Sequence, residues 1–112
     1  MQASDSSNLY FGTNSVVMSV EGRQLLQAVA QKMKNCNNLK LAISAHTDET
    51  GTPLYNDKLA NRRASVVAQH LLAMGVQRAR IEANSYGESR PVAPNTTREG
   101  RQLNRRVQME FQ

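Results

Sequence analysis

The sequence predicts an α+β domain in which helices pack on one face of a mixed four-stranded sheet. Segments that alternate between apolar and polar residues, as strands do, are interleaved with two longer segments of helical periodicity. The predicted order is β-α-β-α-β-(loop)-β, and strands that alternate with helices favour a mixed sheet. The chain has 112 residues, of which 39% are hydrophobic, so it can bury one modest core. We therefore expect a single domain.

The first two elements are a short strand and an amphipathic helix. The strand is predicted at residues 8–11, and it ends in a turn that passes through Thr13 and Asn14. Ser19 is a suitable N-cap for a helix that extends to about Lys34. Apolar residues at helical spacing form the buried stripe of this helix: Leu25, Leu26, Val29 and Met33.

The other elements follow in the second part of the chain. Residues 39–45 alternate strictly, which predicts a strand with one buried side. A long helix is expected over 53–75, and a second alternating strand over 79–87. The residues 88–102 are polar and contain two prolines, so a loop is expected there. The last strand is predicted at 104–111.

The composition suits a soluble globular domain with acidic partners. The net charge of +5 favours nucleic acid, anionic lipid or an acidic polymer. Charge patterning alone favours a solvated basic face for the arginines near the C-terminus. Four arginines lie there: Arg98, Arg101, Arg105 and Arg106.

The ends of the chain and its cysteine carry less information. No apolar run approaches the roughly 18 residues that span a bilayer. The first residues lack the basic and apolar character of a signal peptide. We expect residues 1–7 to be a disordered linker or an added start, and residues 8–112 to be the domain. Cys36 is the single cysteine, so no internal disulfide is expected, and its thiol is predicted to lie exposed in a loop.

The polar stretch 44–51, SAHTDETG, follows the predicted central strand and raises the question of metal binding or catalysis. A metal site needs several donors, but His46 and Asp48 have only His70, on the long helix, as a further histidine. No Gly-x-Ser-x-Gly elbow is present, and Cys36 has no basic neighbour positioned by the sequence. We therefore expect no metal, no cofactor and no enzymatic activity.

A charged residue falls on the apolar stripe of the long helix. Arg63 projects into that stripe, whereas Arg62 projects well away from it. Burial of an unpaired charge costs several kcal/mol, so Arg63 is expected to have a nearby anion. Asp48 is the candidate, because a helix that packs back on the preceding strand can bring residues fifteen positions apart close together. Two interpretations stay open: a structural Asp48–Arg63 salt bridge, or a half-open pair that binds a zwitterion. The stripe comprises Leu59, Val66, Val67, Leu71 and Met74.

Two separate motifs resemble OmpA-like peptidoglycan-binding domains. The first is AHTDETGTPLYNDKLANRRASVV, and the second is SYGESRPVAPNTTREGRQLNRRVQMEF. Together the resemblance covers about residues 9–111. The matching positions of the first motif are His46, Thr47, Asp48, Tyr55, Asn56, Leu59, Arg63 and Ala64. Those of the second are Tyr86, Gly87, Pro91, Asn95, Thr97, Gly100, Arg101, Asn104, Arg105, Arg106 and Val107.

The resemblance implies a β-α-β-α-β-β sandwich that binds peptidoglycan without cutting it. The ligand in that family is the diaminopimelate residue of the stem peptide. By resemblance, Asp48 would bind its ammonium group and Arg63 its carboxylate, with His46 and Thr47 shaping the turn. The other residues that the resemblance places at or near the ligand site are Thr13, Asn14, Asn56 and Arg106. Gly12 stands where many members have an aspartate, so this turn would contribute its backbone, Thr13 or Asn14.

The resemblance also implies a cellular setting. It places the domain in the periplasm of a Gram-negative cell envelope, in a parent protein attached to the outer membrane, or to the inner membrane if it is of the motor-stator type. Lipoprotein, porin and stator parents all stay open, and a homodimer is expected only for the stator type. The alternative function is a basic nucleic-acid-binding α+β domain. Few aromatic residues accompany the arginines as base-stacking partners, so we expect no nucleic-acid partner.

Overall fold

The structure, a computed structural model, describes residues 6–112 of the chain. The predicted α+β class is confirmed, as is the order of the strands and of the two long helices. The elements are β1 (Ser6–Tyr10), α1 (Val20–Asn35), β2 (Leu41–His46), α2 (Pro53–Ala73), a 3-10 turn (Arg78–Arg80), β3 (Ile81–Gly87), α3 (Arg98–Asn104) and β4 (Arg106–Phe111).

The sheet has four strands in the order β1-β4-β2-β3, and it is mixed as predicted. β4 lies antiparallel between β1 and β2, whereas β2 and β3 are parallel. Ile43, in the middle of β2, stands opposite Met109 of β4 and Ala83 of β3. The last strand of the chain therefore lies at the centre of the sheet, next to β2 and its polar C-terminal turn.

The core lies between one face of the sheet and the two long helices. Leu41, Ile43 and Ala45 of β2 are buried together with Val107 and Met109 of β4, because alternate residues of a strand share a face. The apolar stripes of α1 and α2 cover this face, so the predicted packing on one side is confirmed. The helical residues of the core include Leu26, Val29, Met33, Ala64, Val67 and Leu71.

Local signals explain where the helices begin and end. The hydroxyl of Ser19, the predicted N-cap, accepts a hydrogen bond of 2.9 Å from the backbone N–H of Gly22. Thr52 caps α2 in the same way, accepting from Tyr55 at 3.1 Å. Gly75 follows α2 with a φ of +96°, a conformation that glycine adopts without the steric cost of a side chain.

The expected polar loop at 88–102 is wrong in part, because α3 (Arg98–Asn104) begins within it. Thr97 caps this helix by accepting from the backbone N–H of Gly100 at 2.9 Å. Asn104 is fully buried, and its side-chain amide bonds the backbone of the preceding loop. The helix has only seven residues and no long apolar stripe of its own, so hydrophobic periodicity does not detect it.

The two edge strands begin at other residues than predicted: β1 begins two residues earlier, and β3 begins at Ile81, two residues later. β1 begins at Ser6, two residues before its predicted start and inside the segment 1–7 that was expected to be a linker. The rest of that segment, residues 1–5, lies outside the described residues. β3 has a neighbour on one side only, and most of its side chains are exposed.

Candidate functional site

A cavity of about 240 Å³ opens where β2 ends. Its walls come from the turn after β1, the turn after β2, the first turns of α2 and the residue before β4. Three of its lining side chains are charged, and the others are small, hydroxyl-bearing, amide, aromatic or aliphatic. The lining residues are Thr13, Asn14, Thr47, Asp48, Thr50, Gly51, Tyr55, Leu59, Arg63 and Arg105.

Arg63 is fully buried on the inner side of α2 and binds backbone carbonyl groups from two segments. Its Nε donates to the carbonyl of Ser15 at 2.9 Å, and Nη2 donates to the carbonyl of Gly12 at 3.0 Å. Nη1 donates to the carbonyl of His46 at 3.0 Å. Arg63 therefore joins α2 to the end of β2 and to the turn after β1, and one N–H remains at each of Nη1 and Nη2.

The first of the two open interpretations, a structural salt bridge between Asp48 and Arg63, is wrong. Arg63 satisfies three N–H groups with carbonyl oxygens and places its guanidinium carbon 5.1 Å from the ring centre of Phe11. Burial lowers the pKa of Arg63 to about 10, and the negative charge of Asp48 opposes that shift. The guanidinium is therefore still charged at neutral pH, and Asp48 acts on it without direct pairing.

Asp48 pairs instead with Arg105. Its Oδ2 accepts a hydrogen bond of 3.0 Å from Nη1 of Arg105, and its Oδ1 accepts one of 2.9 Å from the backbone N–H of Thr50. Burial favours the neutral carboxyl group, but the hydrogen bonds from Thr50 and Arg105 outweigh it and lower the pKa of Asp48 below its ordinary value. Asp48 is therefore a carboxylate at neutral pH, and each oxygen has a lone pair left.

The turn after β1 forms one wall of the cavity, as the resemblance implied. Asn14 has a φ of +58°, which asparagine tolerates better than most residues. The carbonyl groups of Gly12 and Ser15, on either side of Thr13 and Asn14, are those bound by Arg63. The guanidinium therefore holds this turn against the end of β2.

The structure does not bring Asn56 and Arg106 into the lining of this cavity. Asn56 is buried beside it, and its Nδ2 donates to Oε1 of Glu88 at 2.7 Å. Arg106 is 4% exposed and donates to the carbonyls of Asn104 and Arg90. Among the six residues predicted to bind ligand, the structure brings four together in the cavity: Thr13, Asn14, Asp48 and Arg63.

His46 and Thr47 have separate roles at the end of β2. The hydroxyl of Thr47 donates to the carbonyl of Asp48 at 2.8 Å, so Thr47 shapes the turn as expected. The ring of His46 stacks on Tyr86 with centres 5.4 Å apart. Nδ1 of this ring is buried and has no hydrogen-bond partner among the described residues. Burial, with Arg106 second, lowers the pKa of His46 to about 4.

The solvated basic face expected for the C-terminal arginines is wrong for three of the four. Arg101 donates to the carbonyl of Asn95 at 2.9 Å, and Arg105 donates to that of Phe11 at 2.9 Å as well as to Asp48. Arg106 is buried, and of the four only Arg98 is exposed. These guanidinium groups satisfy carbonyls in loops, so they do not form the phosphate-binding row that a nucleic-acid interface needs.

Sequence reasoning missed the contact between Asp48 and Arg105. A signal existed in the parity of the last strand, because Arg105 shares a side with the apolar residues Val107 and Met109. In the sheet, Val107 stands opposite Ala45. Because the two strands are antiparallel, two residues back from Val107 corresponds to two residues forward from Ala45, and Arg105 therefore lies beside the turn that holds Asp48. The position of β4 next to β2 is what makes this signal usable.

Neither metal ligands nor a membrane span accompanies the cavity. Within residues 6–112, no group of three or more His, Cys, Asp or Glu side chains is arranged to hold a metal ion. No helix in this range is long and apolar enough to cross a membrane.

The fold and the cavity together define an α+β domain with a charged pocket at one end of its sheet. A model of the OmpA family matches residues 10–105. Because this match covers most of the 112 residues, the chain belongs to the OmpA family.

Three relatives represent the similarity. Outer membrane porin F of Pseudomonas aeruginosa is 44% identical over 88 residues, which are 78% of this chain and 25% of porin F. The peptidoglycan-binding protein ArfA of Mycobacterium tuberculosis is 36% identical over 99 residues, which are 88% of this chain and 30% of ArfA. The crystal structure of the peptidoglycan-associated lipoprotein from Burkholderia pseudomallei gives a TM-score of 0.90 at 34% identity, covering 94% of this chain and 89% of that one.

The chain is short relative to its relatives. It spans between 25% and 61% of the length of the first curated proteins that it matches. Each of those proteins therefore contains further sequence beside the region that resembles this chain.

Proposed function

We propose that this chain is a non-catalytic module that binds peptidoglycan through the zwitterionic end of diaminopimelate in the stem peptide. The observation that carries the proposal is the arrangement of Asp48 and Arg63. These oppositely charged groups line one cavity, yet each is held by other partners and neither neutralises the other directly. Each therefore keeps hydrogen-bonding capacity for a ligand.

Arg63 is suited to the carboxylate of the ligand. Three of its five N–H groups hold backbone carbonyls, so the plane of the guanidinium is set before the ligand arrives. The remaining N–H groups lie on the two terminal nitrogens, and guanidinium binds carboxylate with charge-assisted hydrogen bonds. Such preorganisation lowers the entropy cost of binding.

Asp48 is suited to the ammonium group. The contacts from Arg105 and Thr50 fix the direction of the carboxylate and keep it ionised. Each oxygen uses one lone pair for these contacts, and the free lone pairs accept an ammonium donor. Thr13 and Asn14 would then contact the ligand from the opposite wall of the cavity, while Asn56 and Arg106 would support the site from outside its lining.

The relatives support the cell wall as the partner. One relative is named as peptidoglycan-binding, another as peptidoglycan-associated, and a third is an outer membrane porin. We propose that the domain lies in the periplasm and anchors a larger, membrane-attached envelope protein to the wall. The chain covers only part of these relatives, so its attachment to a larger parent protein is a proposal. A homodimer is proposed only for a parent of the stator type.

The first experiment compares two stem peptides that differ at one residue. A lysine stem has the side-chain ammonium but lacks the carboxylate that Arg63 would bind. Loss of a charge-assisted contact costs roughly 1.5–3 kcal/mol, so the lysine stem should bind at least about tenfold more weakly. Amide shifts in an NMR titration measure both affinities and locate the site. Equal affinities, or shifts away from Asp48 and Arg63, would contradict the proposal.

The second experiment removes the charge of Asp48 and keeps its shape. Asp48→Asn should lower affinity for the diaminopimelate stem by about tenfold or more, because a neutral amide binds ammonium weakly. Glu49→Gln is the matched control, since it removes a neighbouring but exposed carboxylate. Calorimetric titration and sedimentation with purified cell wall measure the effect. The idea fails if both variants bind equally well while remaining folded.

A further inference from the structure

The charges in the cavity do not balance. Its lining contains one carboxylate, Asp48, and two guanidinium groups, those of Arg63 and Arg105. With all three ionised, the cavity has a formal charge of +1. A ligand group that is a simple zwitterion has no net charge, so it would leave this excess positive charge uncompensated in a partly desolvated site.

Arg105 has the hydrogen-bonding capacity to bind a further anion. Its Nε donates to the carbonyl of Phe11 at 2.9 Å, and its Nη1 donates to Asp48 at 3.0 Å. An arginine has five N–H groups, so three remain, two of them on Nη2. The side chain is 13% exposed and lines the cavity, so these donors are held in place at its wall.

We propose that Arg105 is a specificity-determining residue that binds a second carboxylate of the ligand. The ligand class is then a zwitterion with one additional carboxylate, which has a net charge of −1 and neutralises the cavity. This inference rests on the proposed function. Diaminopimelate at the end of a tripeptide stem belongs to this class, because its backbone carboxyl group is free at the end of the peptide. In longer stems the same carboxyl is part of a peptide bond.

The size of the cavity favours the backbone carboxylate of diaminopimelate itself over a carboxylate of another residue of the stem. A volume of about 240 Å³ is of the order of one amino-acid residue. Asp48 and Arg63 would bind the side-chain end of diaminopimelate. Arg105 contacts Asp48 directly, so its guanidinium would lie beside the ammonium group that Asp48 binds.

The test compares a tripeptide stem that ends in diaminopimelate with the same stem carrying a C-terminal amide. The two ligands share the zwitterionic end and differ by one negative charge. The free acid should bind the wild-type protein about tenfold more tightly, as expected for one added charge-assisted contact. The advantage should shrink at high ionic strength, because salt screens this partly exposed site.

Variants of Arg105 assign the preference to its guanidinium. In Arg105→Gln the ratio of the two affinities should fall to about one, and Arg105→Lys should keep part of it because the charge remains. Arg98→Gln removes an exposed arginine of the same tail and should leave the tenfold ratio unchanged. Arg105→Lys keeps the test decisive if Arg105→Gln loses its fold through the missing contact with Phe11.

The outcomes separate the two proposals. If neither stem binds, the proposed function fails. If both bind equally to the wild-type protein, or if the preference stays at tenfold in every Arg105 variant that folds, the proposed function stands and the role of Arg105 is overturned. A tenfold preference that disappears only with Arg105 supports the second carboxylate site.

Discussion

At each end of β2 an arginine donates to three backbone carbonyls, but the surroundings of the two arginines differ. At the C-terminal end, Arg63 donates to three backbone carbonyls, including that of His46. At the N-terminal end, Arg80 also donates to three carbonyls: those of Met33, Cys36 and Leu39. Each arginine joins a helix or turn to the sheet, so carbonyl binding by a guanidinium serves the fold in both places.

The difference lies in the neighbours of each arginine. Arg63 is fully buried, lines a cavity and feels the charge of Asp48. Arg80 is half-buried, binds the end of α1 and does not line that cavity. A buried arginine bound to carbonyls therefore does not by itself define a binding site. A carboxylate beside it and an open cavity are what make the Arg63 end suitable for a ligand.

The largest expected effect is that of Arg63→Ala. The carbonyl of His46 would lose its donor in a buried position and those of Gly12 and Ser15 in partly buried positions, and a buried unsatisfied acceptor costs about 1–3 kcal/mol. The free energy of unfolding should fall by about 3 kcal/mol or more, and binding of the diaminopimelate stem should be lost. Arg80→Ala should cost about 1–2 kcal/mol, because water can reach the carbonyl of Cys36 and none of the three contacts is fully buried, and stem binding should persist. Urea denaturation and NMR titration measure both quantities.

Two outcomes of this experiment would contradict a binding site that is local to Arg63. If Arg80→Ala abolishes binding while the domain remains folded, the two ends of β2 are coupled and the site is not local to Arg63. If Arg63→Ala binds the stem like the wild-type protein, the carboxylate of the ligand is bound elsewhere.

A medium effect is expected on the pH dependence of stability, through His46 at the cavity end of β2. Burial lowers its pKa from 6.5 to about 4, so the unfolded chain binds a proton more readily than the folded one. The contribution to stability is full above pH 6.5 and is lost as the pH falls towards 4, by up to about 3 kcal/mol. His46→Gln should flatten the curve of unfolding free energy against pH in this interval.

Arg80→Ala is the control for that pH profile. Its partners are backbone carbonyls, which do not titrate, so the variant should lower the whole curve without changing its slope. An unchanged slope in His46→Gln would show that another group is responsible. Urea midpoints measured between pH 4 and 7.5 provide the comparison.

The smallest effect is expected for Arg62→Ala. Arg62 neighbours Arg63 in the chain but is exposed on the outer side of α2. Surface substitutions of this kind change stability by no more than about 0.5 kcal/mol. Stem affinity should also stay the same within about twofold. A larger loss of affinity in the titration would extend the ligand site beyond the cavity, onto the outer side of the helix.

Local signals predicted where part of the candidate site lies. Asp48 and Arg63 belong to one strand–loop–helix unit, and the position of Arg63 on an apolar stripe marked it as buried. The structure places both in one cavity, together with Thr13 and Asn14. Their direct salt bridge was wrong, because the competing acceptors are carbonyl oxygens. Every residue has such an oxygen, so side-chain types do not reveal which ones will be close.

The sequence by itself determined the class of the fold, its strands and two long helices, and the charged residues that need partners. These depend on periodicity and capping, which act over a few residues. Only the tertiary structure decided which partners meet. Arg105 reaches Asp48 across 57 positions because β4 inserts between β1 and β2, and such long-range pairing depends on the packing of the whole sheet. The pairing that gives Asp48 and Arg63 separate partners is therefore a property of the folded chain.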